Sequence, residues 1–264
     1  LSRAGDPSRL LTEADRERLH AYLARDPYAH LFHLADLDEP YAPFARWFVR
    51  GEGPVIAALA MLYTWPETPV LQLIEPDNPQ AAPLLRDILP SLPARVYCQV
   101  TEGIPTLLSE AYAFESLQPF LKMRWVDKGA LSGGLREDVT RLTREHEGIL
   151  RSFEPAVWFE PRMFDHGFYY GVFDQGRLVS VAGTPVLSRR YGVAVIGGVG
   201  TLESHRGRGL AARLVSTLVA TLRKEFRYIG LNVRADNVPA IRCYEKCGFE
   251  RHGSGFWDGV AVRK

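Results

Sequence analysis

The chain has 264 residues, 46% of them apolar, with 32 Lys and Arg against 31 Asp and Glu and a formal net charge of +1. That balance excludes a general nucleic-acid or anionic-membrane binder. The longest apolar runs, such as "VIAALAMLY" from Val55, fall far short of the roughly 20 residues that cross a bilayer, and no charged-then-apolar leader opens the chain, so a soluble cytoplasmic protein is expected. Cys98, Cys243 and Cys247 form neither a C-x-x-C pair nor an even set, which points to buried reduced thiols and to neither a disulfide framework nor a zinc cluster.

In chain order, "RLLTEADRERLHAYLARDP" predicts a helix capped by Thr12 and closed by a proline. His30 and His33 in "HLFH" read as a helix-face pair, since no further ligand set accompanies them. Alternating strands follow in "WFVRGEGPVIAALAMLYTW" and "PVLQLIEP", then a helix in "AAPLLRDILPSL", a strand in "RVYCQV", and a short helix and strand in "LLSEAYAFESLQPFLKM". The same order then recurs at an offset of about 130 residues. "VTRLTREHEGILRSFEP" repeats the opening with Thr143 as cap. "FYYGVFDQGRLVSVAGTPVLSRRYGVAVIGGVG" repeats the strands, "LAARLVSTLVATLRKEF" the helix, "YIGLNV" the next strand, and "AIRCYEKCGFERHGSGFWDGVAV" the close. The glycine-rich "WVDKGALSGGL" (125–135) is the expected linker. The expected architecture is therefore a tandem α/β fold with mixed sheets, one lobe over 1–127 and the other over 128–264.

The copies part company ahead of their long helices. The second has "SHRGRGLA" and the first "EPDNPQAAP", whose Pro76, Pro79 and Pro83 lack the backbone N–H groups an anion would need. A helix N-terminus carries four unpaired N–H groups and about half a positive charge. Gly207 and Gly209 remove side-chain obstruction in front of it, and Arg206 and Arg208 add charge at its rim. Leu210, Leu214, Leu218 and Leu222 form an i+4 stripe that anchors the helix behind the turn. Gly207, Gly209 and Ala212 also fit the dinucleotide pattern G-x-G-x-x-A, but no acidic residue stands near position 229, and the full phosphate loop of nucleoside triphosphatases is absent. A plain surface turn with solvated arginines is the bland alternative.

A second constellation lies in "LNVRADNVPAIRCYEKCGFE", a strand, a polar loop and a helix with Pro239 in its first turn and Gly248 at its stop. Asn237, Ala240 and Tyr244 are spaced by three and four, which puts a carboxamide, a small residue and a phenol along one face. Tyr244 as a core aromatic and Asn237 as a helix cap are the alternative readings.

Together, and in this order, the two motifs resemble the GNAT superfamily of acyl-CoA-dependent N-acyltransferases. The loop pattern is matched by Arg206, Gly209 and Ala211, and the later signature by Asn237, Ala240, Tyr244, Gly248 and Phe249. The resemblance covers about residues 135–264, and the repeat makes the first lobe a degenerate copy. It implies that acetyl-CoA or another acyl-CoA is the co-substrate, with no metal. The diphosphate would lie on the amides of Arg206, Gly207, Arg208, Gly209, Leu210 and Ala211. The pantetheine arm would run between splayed parallel strands near 193–200 and 228–234, alongside Asn237 and Ala240. The implied reaction is direct attack of a small-molecule or peptide amine on the thioester, with the Val199 N–H as oxyanion donor and Tyr244 as the acid that protonates the leaving thiolate. Several family members carry a glutamate on the strand before the loop. "YGVAVIGG" has none, so the base is open among Glu203, His205, Asp165 and His166. A non-catalytic acyl-CoA-binding module and a nucleotide-dependent oxidoreductase are the rival functions. A monomer or homodimer is expected, without nucleic-acid or membrane partners.

Overall fold

The computed structural model describes residues 12–127, 129, 138–153 and 159–264. Most of the expected linker and the start of "AVWFEPRMFDHGFYY" lie outside them. Two compact units account for the chain. The first comprises residues 1–122, 234–236 and 252–264; the second comprises 123–233 and 237–251.

The first unit opens with α1 (Glu13–Leu23), begun by a reciprocal cap in which the Thr12 hydroxyl accepts from the Asp15 N–H at 3.1 Å and Asp15 accepts from the Thr12 N–H at 3.1 Å. The short α2 (Leu31–Asp36) follows, then β1 (Ala45–Arg50), β2 (Ala58–Tyr63) and β3 (Val70–Leu73), α3 (Ala81–Ile88), β4 (Arg95–Val100), α4 (Ile104–Leu108) and β5 (Tyr112–Trp125). Leu71, Leu73, Val96, Cys98 and Val100 alternate along β3 and β4, and that periodicity turns them together onto α3, where Leu84, Leu85 and Ile88 complete a buried cluster. β3 and β4 are parallel and paired from Val70↔Tyr97 to Leu73↔Val100. The last strand of the chain, β11 (Phe249–Arg263), lies antiparallel on β4 from Trp257↔Val100 to Val262↔Arg95. The first unit's strand order is β1-β2-β3-β4-β11-β5.

In the second unit, β6 (Thr140–Leu142) precedes α5 (Glu147–Arg151) and α6 (Met163–His166). Thr143 is a cap, as its sequence predicts, but of a 3₁₀ turn that leads into a helix of 5 residues. The residues before it are drawn into the sheet by pairing with β7 (Tyr169–Asp174). β8 (Arg177–Ser188), β9 (Val193–Thr201), α7 (Leu210–Leu222), β10 (Tyr228–Arg234) and α8 (Val238–Lys246) follow. The strand order is β10-β9-β8-β7-β6. Leu210, Leu214, Leu218 and Leu222 are all buried, as the stripe predicts. Among the described residues no helix is long and apolar enough to cross a membrane.

Candidate functional site

β9 and β10 are parallel, and their pairing runs from Val193↔Tyr228 to Ile196↔Leu231 and no further. Both strands continue, to Thr201 and Arg234, so beyond Ile196 and Leu231 their facing edges leave the ladder. On its other side β9 is bulged. Between Val181↔Gly200 and Gly183↔Gly197, β8 advances two residues and β9 three. The extra residue falls at Gly198, whose φ is +57°, and Val199. A bulge bends its strand and re-aims its peptide groups. Val199, expected to supply the oxyanion donor, stands at that bend.

The chain then passes through the 3₁₀ turn Glu203–His205 into Arg206–Gly209. Gly207 and Gly209 have φ of +76° and +74°, and a Cβ on either would meet nothing within 4 Å. Backbone conformation rather than crowding therefore calls for glycine here. The first helical bond of α7 joins the Arg213 N–H to the Gly209 carbonyl at 3.1 Å. Among the described residues, the N–H groups of Gly207 through Ala212 have no acceptor, which leaves the positive end of a 13-residue helix open to an anion. Arg206 and Arg208 are exposed at its rim, Ala211 is half-buried and Leu210 is buried in the helix's first turn.

α8 begins at the end of β10 as α7 begins at the end of β9, so both helices start where the two strands part. A crevice at the carboxyl ends of parallel strands is the usual ligand position in such sheets. Asn237 caps α8, its Oδ1 accepting from the Ala240 N–H at 3.2 Å. Gly248 stops the helix with φ of +89°. Cys247 Sγ lies 3.6 Å from both the Ala212 carbonyl oxygen and Ser216 Oγ, docking the end of α8 on the first turns of α7. Tyr244 is buried, with its ring edge-on to Phe249 at 6.2 Å. Burial, and then the neighbouring Cys243 and Cys247, raise its pKa above the ordinary phenol range, so the side chain holds its proton. Cys243 and Cys247 are free thiols one helical turn apart, and a hydrogen bond from Cys243 draws Cys247 below the ordinary thiol range. The i, i+4 spacing was the available sequence signal for that contact.

The open base candidates fare unequally. Both carboxylate oxygens of Asp165 accept from Arg144, at 2.8 Å and 2.5 Å, and those hydrogen bonds hold the group below the usual carboxylate range, which makes it a weak base. His166 and Glu203 are exposed. His205 is engaged at both ring nitrogens, by Asp174 and Ser204. In the first unit His30 and His33 are buried, burial pulls His30 down to about 4, and among the described residues no set of three or more His, Cys, Asp or Glu is placed to hold a metal.

The counterpart of the loop in the first unit is closed. β3 and β4 stay paired to their ends, and the Thr101 N–H continues onto the Leu73 carbonyl at 3.0 Å. Glu75 lies buried in the turn before α3 and accepts from Leu59 N–H at 2.9 Å, Asn78 Nδ2 at 2.7 Å and the Tyr22 hydroxyl at 2.6 Å. The Gln80 and Ala81 N–H groups are taken up by the Asn78 side chain and carbonyl. A fixed carboxylate and the engaged Gln80 and Ala81 amides oppose an anion there.

Comparison with known proteins agrees with this geometry. Residues 135–249 match the family model described as "Acetyltransferase (GNAT) family". The N-alpha-acetyltransferase RimI of Mycobacterium tuberculosis is 34% identical over 103 residues, 38% of this chain and 62% of that protein. A kanamycin resistance protein of Rhizobium radiobacter is 45% identical over 62 residues, 22% of this chain and 57% of that protein. The chain thus spans about three fifths of the length of these curated relatives. A tandem GNAT protein from the clavulanic acid biosynthesis pathway shares the fold across the whole chain, with a TM-score of 0.58 at 13% identity and coverage of 100% and 97%. Parting parallel strands, an open helix terminus and the match to the acetyltransferase (GNAT) family model coincide on one stretch of sequence, residues 135–249.

Proposed function

We propose that the second unit transfers an acetyl or other short acyl group from acyl-CoA to a primary amine by direct attack in a ternary complex. One observation carries the reading: β9 and β10 part immediately before a helix terminus whose N–H groups are open. The diphosphate of acyl-CoA would take the amides of Gly207 through Ala211; the Arg206 N–H, expected to join them, is spent on the Glu203 carbonyl at 3.2 Å. The amide-bearing pantetheine arm would pair with the strand edges beyond Ile196 and Leu231, satisfying groups that are otherwise costly to leave unpaired, with Asn237 and Ala240 beside it.

The neutral amine attacks the thioester carbonyl, and the new C–N bond puts negative charge on oxygen, which the Val199 N–H receives. Collapse breaks the C–S bond, and Tyr244 gives its proton to the departing thiolate. The proton lost by the amine leaves through a base or water chain. Residues 128–264 would form the catalytic domain and 1–127 a degenerate copy.

Thermal shift separates acyl-CoA from nucleotide ligands. At 100 times its dissociation constant a ligand adds about 2.7 kcal/mol of stability, and stabilisation by NAD(P) but not CoA would overturn the proposal. Release of free CoA thiol is then followed across amines that include a peptide N-terminus, suggested by the RimI relative, and kanamycin, suggested by the resistance protein. The second reading, an acyl-CoA-binding module, draws on the Tyr244 ring being packed against Phe249. Tight CoA binding with no turnover on any amine would favour it.

A further inference from the structure

The approach to the acyl-CoA loop contains a continuous run of side-chain contacts that the transfer chemistry leaves unused. His205 closes the 3₁₀ turn with its side chain only 17% exposed. Its Nε2 lies 3.0 Å from Asp174 Oδ2, at the end of β7, and its Nδ1 lies 2.9 Å from Ser204 Oγ. An ionised carboxylate only accepts, so Nε2 carries the proton, and in the neutral ring Nδ1 is left to accept from the Ser204 hydroxyl. The Ser204 carbonyl accepts from Arg208 Nη2 at 3.1 Å, and the Arg208 carbonyl accepts from Arg213 Nη2 at 3.3 Å. The other terminal nitrogen of Arg213 pairs with Asp138, two residues before β6. The run therefore starts and finishes on carboxylates outside the loop, and between them it holds two loop carbonyls and the guanidinium of Arg208.

We infer that Asp174 and His205 are positioning residues for acyl-CoA, fixing Ser204 and through it Arg208, so that the amides of Gly207 through Ala211 are set before the ligand arrives. The inference rests on the function proposed above. Its logic is preorganisation: a loop ordered in advance spares the bound complex that ordering cost. Both ring nitrogens of His205 are engaged, one of them by Asp174, so neither group is free to take the amine proton, and the effect belongs to acyl-CoA binding and leaves the transfer step alone.

The test compares CoA titration and steady-state kinetics for the intact chain, Asp174→Ala, His205→Ala, the double variant and Asp174→Asn, each with its thermal midpoint. Both alanine variants are expected to weaken CoA binding and raise the acyl-CoA KM about tenfold, the equivalent of one ordered contact, with kcat and the amine KM within about twofold. The double variant should lose no more than either single one, because both break the same run. Asp174→Asn keeps an oxygen that accepts from Nε2 and should restore affinity close to that of the parent. It also serves as the folded comparison if the alanine variants are unstable. Parent-like CoA affinity in folded Asp174→Ala and His205→Ala, additive losses, or kcat falling with KM would each overturn the positioning role while leaving the transferase reading intact. An intact chain that binds no CoA would overturn both.

Discussion

Tyr244 is placed by α8 and enclosed by its own helix, Phe249 and the two cysteines, and that enclosure favours the neutral phenol. A group kept protonated can act as an acid across the working pH range, so Tyr244→Phe should lower kcat by about 10²-fold while leaving the acyl-CoA KM within about twofold. A pH–rate profile of the parent should show no alkaline loss assignable to this phenol below its ordinary value of 10; undiminished turnover in the phenylalanine variant would remove the residue from its role. A different titration belongs to the first unit. Burial lowers His30 from 6.5 to about 4, so between those values the unfolded chain binds more protons than the folded one. The stability due to the neutral ring is complete above pH 6.5 and is lost as pH falls through 4, by roughly 3 kcal/mol. Urea unfolding across that window should therefore show a shallower pH dependence in His30→Leu than in the parent, and identical slopes would contradict the assignment.

At the scale of single elements, the loop depends on left-handed backbone at Gly209. A β-branched residue there has open space for its side chain but the wrong φ, so Gly209→Val should cost roughly 1–2 kcal/mol in stability. It should also weaken CoA binding by calorimetry, because the amides that precede α7 would be turned away. Such local features were readable from sequence: the leucine stripe of α7, Pro239 and Gly248 bounding α8, and the two loop glycines each act within a few residues of themselves. The parting of β9 from β10 and the bulge at Gly198 and Val199 were only implied by family resemblance, since a strand's register is decided by partners far along the chain. The segment after Thr143 shows the same limit. Its cap was legible, but the pairing of Thr140 through Leu142 with β7 was not, and the helix is correspondingly short. The relay from Asp174 to His205 was hidden because its members are 31 residues apart.

For the molecule as a whole, the repeat was legible and the fate of its last strand was not. Nothing local in "HGSGFWDGVAVRK" states which sheet it joins, yet residues 252–264 complete the first unit against β4. The glycine spacing is the residual trace: a Cβ on Gly259 would overlap the Ser116 carbonyl oxygen of β5. Gly259→Ala should accordingly destabilise the first unit by about 2 kcal/mol or more, seen as an earlier urea transition, and an unchanged midpoint would mean that the strands separate at little cost. The proposed repeat also raises the question of how many ligands one chain holds. An open copy needs parted strands and free amides. The first unit has β3 and β4 paired to their ends, three prolines in the turn, and the Glu75 carboxylate buried beneath it. Burial raises the Glu75 pKa, while its donors from Tyr22, Asn78 and Leu59 pull it back. A diphosphate approaching that turn would meet either a like charge or a carboxyl already hydrogen-bonded, with the Gln80 and Ala81 N–H groups already taken up. Calorimetric titration of the intact chain with CoA should therefore give one site per chain, and the same single site should persist in Glu75→Gln, because removing the charge does not free the amides. Two sites in the parent would show that the closed turn opens for ligand and that the first unit is a working copy.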